Sequence, residues 1–125
     1  MSLLVNVFTA DESGESRFLD ALEGSSDLAG FESWRTTVWG SDTVCSLGAR
    51  FFPQLASDML CVAPEDVPDF IQEVLLLQNN IESIAARMES PKPVAQRANE
   101  ITDRLNNILD AAQRASQLRG GVQIW

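Results

Sequence analysis

The sequence predicts an α+β domain, a small sheet of about three or more strands packed with a long antiparallel helical hairpin. Three observations lead there. Apolar residues recur at alternating steps of three and four from Phe70 to Met88 and again from Val94 to Ala115, two stretches joined by SPKP (90–93). Short runs of strand-forming residues stand at the start (LLVNVFTA, 3–10), the middle (MLCVA, 59–63) and the end (VQIW, 122–125). At 125 residues the chain is long enough for one core and too short for two. The reading is a single domain over 1–125, with a mixed strand and short-helix part (1–64), the hairpin (65–119) and a C-terminal strand (120–125).

Element by element, 3–10 is a strand that stops at the polar DESGE. In 15–22, Phe18, Leu19 and Leu22 have helical spacing before Gly24, Ser25 and Ser26, which predicts a short helix. GFESWRTTVWG (30–40) places Phe31, Trp34 and Val38 on one helical stripe, which assigns them to the core. Trp39 falls about 100° from Val38, at the margin of that stripe. The stretch 40–64 is less regular, with Gly48 and Pro53, until the strand at 59–63 ends on Pro64.

Pro64, Asp66, Pro68 and Asp69 then mark a helix start, because acids and proline suit the first turn. Its seam is Phe70, Val74, Leu77, Ile81, Ile84 and Met88, and Ile71, Leu75 and Leu76 widen the stripe enough to touch the sheet as well. Ser90 is the expected cap of the second helix, whose seam is Val94, Ala98, Ile101, Leu105, Ile108, Ala112 and Ala115. Gly120 and Gly121 end it, and the last strand carries Trp125 as a core plug. The wide stripe leaves monomer and homodimer both open.

The chemistry-bearing residues are sparse. There is no histidine, which removes the commonest general base and any Ser-His or Cys-His pair. Lys92 stands between two prolines in an exposed turn, and acid pairs such as Asp11 with Glu12 or Glu65 with Asp66 have polar neighbours that would not raise a carboxyl pKa. Two thiols, Cys45 and Cys61, make a poor zinc site and read as reduced cytosolic cysteines. The expectation is no catalytic residue, no cofactor and no metal, in a cytoplasmic protein without a secretory signal or an apolar run of bilayer length.

Charge is the stronger signal. The net value is −9, and residues 1–75 hold thirteen acids against Arg17, Arg35 and Arg50, so the negative field belongs to that part. Such a field repels nucleic acid and anionic lipid and speeds encounter with a basic protein, although it also serves solubility alone. Glu32, Trp39, Asp42 and Asp58, in or near the irregular middle, are the candidate partner-binding residues: an aromatic anchor among carboxylates that steer cations. A packing role is the alternative for Trp39.

FESWR (31–35), FPQL (52–55) and PEDVPDF (64–70), preceded by a short strand, resemble the small bacterial immunity proteins of polymorphic toxin and contact-dependent inhibition systems. The resemblance spans residues 3–85. It implies an acidic α/β or α+β domain that neutralises a cognate toxin by direct binding, with Phe31, Arg35, Phe52, Pro53 and Leu55 at scaffold positions. An acidic secretion or effector chaperone and an adaptor that assembles through the helical hairpin are the other readings.

Overall fold

The computed structural model, which describes residues 2–10, 13–20 and 24–125, builds its sheet around β1 (Ser2–Ala10). Alternation along β1 buries Leu3, Val5 and Val7 on one face and turns Leu4, Asn6 and Phe8 to the other. On one side β1 pairs antiparallel with β5 (Gly121–Ile124), which in turn pairs with β4 (Leu60–Val62). Its other side is shared by β2 (Ser16–Phe18) near its end and β3 (Leu28–Phe31) near its start. The register aligns Val5 with Ile124 and Ile124 with Leu60, so Val5, Val7, Val122, Ile124, Leu60 and Val62 form one continuous buried face.

That face is covered by α4 (Val94–Leu118), which touches β1, β3 and β5. The expected seam holds from Ile101 through Leu105, Ile108, Ala112 and Ala115, all buried, whereas Val94 is exposed. Asn107 pins the helix to the sheet by donating from Nδ2 to the Leu28 carbonyl at 2.9 Å. At its C-terminus Arg119 adopts a left-handed φ of 55° and the Gly120 N–H reaches back to the Ala115 carbonyl at 2.8 Å, which turns the chain directly into β5.

The other expected long helix is broken. It runs as α2 (Val67–Gln78) and α3 (Ile81–Ala86), parted at Asn79 and Asn80. Asn80 leaves helical geometry (φ −125°, ψ 19°) while its Nδ2 donates to the Leu76 carbonyl at 2.8 Å, a local bond of the kind that competes with the helix ladder. Both pieces pack on α4, and they run against it: Gln78 bonds Asn106, and Ala85, later in the chain, meets Arg97, earlier on α4. One long helix with a broken arm therefore stands where a hairpin of two long helices was expected. Arg97 holds the connection, donating to the carbonyls of Ala85, Met88, Ser90 and Lys92. Ser90 does not cap α4; Pro93 precedes its first residue, and the Ser90 hydroxyl accepts from the Lys92 N–H at 3.2 Å.

The seam residue Phe70 of α2 meets the middle of the chain, while Leu75 of the widened stripe is exposed. Phe70 packs edge-on to Phe51 and stacks on Phe52, each with ring centroids 5.5 Å apart. That middle contains α1 (Asp42–Ser46), capped by the Ser41 hydroxyl, and a 3-10 turn at Phe52–Ala56. It is tied to α2 by Glu73, only 7% exposed, whose carboxylate accepts from the backbone N–H groups of Arg50, Phe51 and Phe52. Two short helices expected upstream are also replaced. Ser16–Phe18 is strand, because Phe8 and Phe18 pair across β1 and β2 with rings 6.3 Å apart, and Leu22 lies outside the described residues. The stretch 30–40 ends β3 and then forms one π-helical turn, Arg35–Trp39.

Glu73→Ala leaves three buried or half-buried amides without their acceptor, and should lower unfolding free energy in urea by about 3 kcal/mol. A loss below about 0.5 kcal/mol would show that water replaces the carboxylate freely. Gly30→Ala should also destabilise, by about 2 kcal/mol, because Gly30 has φ +128° and a Cβ there would lie 2.6 Å from Trp34 Cε3; an unchanged melting temperature would contradict it.

Candidate partner-binding surface

The four residues singled out from the sequence separate in the fold. Trp39 is fully buried: its indole N–H donates to the Ala29 carbonyl at 3.0 Å, and its ring packs between Trp34 and Phe52 at 5.6 and 4.9 Å. The cause is the π turn. An i to i+5 turn is wider than an α turn and brings residues five apart onto one side, so Trp34 and Trp39 both face inward with Val38. Trp39 is thus a core residue and not a contact residue.

Glu32 and Asp58 are exposed and share Arg35. The guanidinium donates from Nε to the Glu32 carboxylate and from Nη1 to the carbonyls of Asp58 (3.1 Å) and Leu55 (3.3 Å). The Asp58 carboxylate itself is not neutralised by that arginine; it accepts the Met59 N–H at 2.7 Å. Asp42, exposed in the first turn of α1, has no hydrogen bond to this group.

Beside Arg35 and Asp58 a shallow depression runs past Ala56, Ser57 and Met59 to Trp125. Trp125 is not a core plug. It is 46% exposed, stacked on Phe18 (5.4 Å between centroids, 19° between planes), and its indole N–H donates to Asn6 Oδ1 at 2.7 Å. The ring therefore reaches over Asn6 towards Phe18 on the sheet face opposite α4. Leu4, Asn6, Phe8, Phe18, Cys61, Gln123 and Trp125 share that outer face, and not one of them is charged. Met59, 47% exposed, borders it, with its sulfur accepting from Gln123 Nε2 at 3.1 Å.

The outward phase of Trp125 was present in VQIW, where Val122 and Ile124 claim the core and leave Gln123 and Trp125 outside. Phe18 carried no such signal, because its segment has the spacing of a helix. Phe31, assigned to the core from its spacing, is 37% exposed at the edge of the domain, with Lys92 Nζ 5.4 Å and Arg104 Cζ 5.7 Å from its ring centre. Lys92 is accordingly not an isolated turn residue; it also bonds Glu100 at 2.8 Å.

The remaining features offer little for chemistry. Glu65 and Asp66 are exposed on a 3-10 turn, while Asp11 and Glu12 lie outside the described residues. A pocket of about 70 Å³ between β1 and α4 has mainly apolar walls with Asp27, Asp110 and Arg114 at its rim, and the Arg114 guanidinium is engaged by the Asp20 carbonyl at 2.7 Å. Among the described residues no three His, Cys, Asp or Glu side chains gather as metal ligands, and Cys45 and Cys61 are both free and exposed. No helix among the described residues is long and apolar enough to cross a membrane.

No known protein family matches this chain, and neither a characterised protein nor a solved structure is significantly similar to it.

One tryptophan of three should be open to the neutral quencher acrylamide, since Trp34 and Trp39 are buried and Trp125 is not. Trp125→Ala should remove the quenchable emission and cost about 1 kcal/mol of stability, against about 4 kcal/mol for Trp39→Ala. Equal quenching of the wild type and the Trp125 variant would place the accessible indole elsewhere.

Proposed function

We propose that this chain is an immunity-type inhibitor that binds a basic toxin protein directly and carries out no catalysis of its own. The observation that carries the reading is the exposed Trp125 on an uncharged sheet face, bordered by Asp58 and by Arg35, which holds Glu32, in a chain of net charge −9. A solvent-facing tryptophan is a large apolar anchor at low entropic cost, and carboxylates around it steer cationic side chains towards it. The contact centre proposed here is therefore Trp125 with Met59 and Phe18, rimmed by Asp58 and Glu32; Trp39 supports it from the core, and Asp42 adds to the field at long range. The inhibitor would act in the cytoplasm by covering the toxin's positively charged surface.

An acidic chaperone for an effector is the second reading, favoured by the same open sheet face, which suits an extended client. Co-expression with the neighbouring open reading frame separates the two. An inhibitor gives a one-to-one complex and restores growth that the neighbour alone prevents, whereas a client is harmless by itself.

With a toxin in hand, association should slow about tenfold between low and physiological salt, and Asp58→Asn with Glu32→Gln should lower the association rate several-fold. Trp125→Ala should instead raise the dissociation rate about tenfold or more. An association rate indifferent to ionic strength, with Trp125→Ala silent, would sink this account of the interface.

A further inference from the structure

The hydrogen-bond phase of the sheet leaves one backbone position unclaimed. Leu4 and Trp125 exchange both of their backbone bonds, at 2.8 and 3.0 Å, so this is a hydrogen-bonded pair of the β1–β5 ladder. Alternation makes Asn6 and Gln123 the next such pair and directs the backbone of Val122 and Ile124 the other way, towards Val62 and Leu60. Cys61, the central residue of β4, therefore points its N–H and C=O off the sheet. Among the described residues nothing bonds them, and β4 ends the strand order.

Natural edges are blunted by short length, which β4 has at three residues, and by lysine, proline or a charge within the strand. β4 reads Leu-Cys-Val and has no lysine, proline or charge. Its outward side chain, Cys61, is exposed and continues the uncharged face through Gln123. Charge appears only beyond the strand: Asp58 before it and Glu65 and Asp66 after it, all exposed. A strand laid along this edge would meet free backbone groups and a neutral face in the centre, with carboxylates at both ends.

That pattern decides between occupants. Pairing of two copies about Cys61 would bring the Asp58 carboxylate of each near the acidic 64–66 turn of the other, between chains that each carry −9. A segment with a short apolar centre and a cation at each end satisfies both the backbone and the carboxylates. Residues 58–65 span at most about 25 Å when extended, so cations six or seven residues apart would reach both ends.

We infer that the free edge of β4 receives an extended, basic-flanked segment of the partner protein as an added antiparallel or parallel strand, with its central side chains beside Met59, Cys61 and Trp125. The inference rests on the reading of the chain as a binder of a basic protein, and it names the mode of recognition: main-chain bonds at Cys61 supply register, and the acids select charge.

The test uses the full chain and a synthetic nine-residue peptide, a Val-Thr alternating centre with two lysines at each end, beside a control with glutamates replacing the lysines. Amide NMR should show the lysine peptide saturating the Cys61 signal below about 1 mM and slowing its hydrogen exchange, with the glutamate peptide inert. Cys61→Ser, which keeps the amide, should bind as wild type. Cys61→Pro, which removes the outward donor and fixes φ at an edge position, should lose binding at least about tenfold while retaining its circular dichroism. Should the proline variant fail to fold, protection of the wild-type Cys61 amide carries the test alone.

Shifts confined to another surface, or no saturable shift at Cys61, overturn the inference. So does protection of Cys61 that rises with protein concentration in the absence of peptide, since a second copy would then own the edge. Peptide capture at Cys61 by a chain that neutralises no toxin would reject the inhibitor reading alone. A toxin complex in which the Cys61 amide still exchanges freely would reject the strand-addition mode alone.

Discussion

The middle of the chain depends on a carboxylate that leaves water. Glu73 lies on the buried side of α2, three residues after Phe70 and one before Val74, and accepts the N–H groups of Arg50, Phe51 and Phe52. A carboxylate so placed is tolerable because several donors converge on it, and it organises a loop that lacks secondary structure of its own to satisfy its amides. With those amides held, Phe51 and Phe52 close on Phe70, Phe52 supports Trp39, and Trp39 in turn packs on Trp34. The irregular segment becomes part of the core through this chain of rings, and the surface around Arg35 and Asp58 is positioned by it.

The basic residues have a related use. Arg97 serves four carbonyls at the turn into α4, Arg35 serves two besides Glu32, and Arg114 serves the Asp20 carbonyl. Guanidinium groups engaged by backbone oxygens satisfy connections that would otherwise need water, and they keep their charge while doing so. Glu32 and Glu100 are held in salt bridges with Arg35 and Lys92. The negative potential of this domain follows from its composition, nine basic residues against eighteen acidic ones.

An open sheet face is the complement of that arrangement. α4 covers one side of β1, β3 and β5, and among the described residues no helix forms a layer on the opposite side. Many antiparallel sheets tolerate this by placing polar residues outward. Here Phe18, Trp125 and Met59 occupy the outer surface, partly shielded by one another and by Asn6 and Gln123. Neutral aromatic surface within an acidic molecule concentrates apolar contact at one place, which is what a partner interface needs and what solubility alone does not explain.

Strand-rich termini, the helical seams and the charge asymmetry were legible in the sequence, because alternation and three-four spacing are imposed by local backbone geometry and survive any packing. Glu73 was legible too, in retrospect, as an acid on an apolar stripe. Tertiary structure alone decided the rest. Helical spacing at Phe18 yielded to strand pairing with Phe8, a π turn swung Trp39 inward where an α turn would have left it at the margin, and two asparagines ended α2 where the seam continued unbroken. The first depends on pairing with another strand, the second on a turn whose width no periodicity records, and the third on a local bond from Asn80 to the Leu76 carbonyl that competes with the helix ladder. The surface most suited to binding, Trp125 over Phe18, joins the two ends of the chain, and only the register of β1 between them could bring it into being.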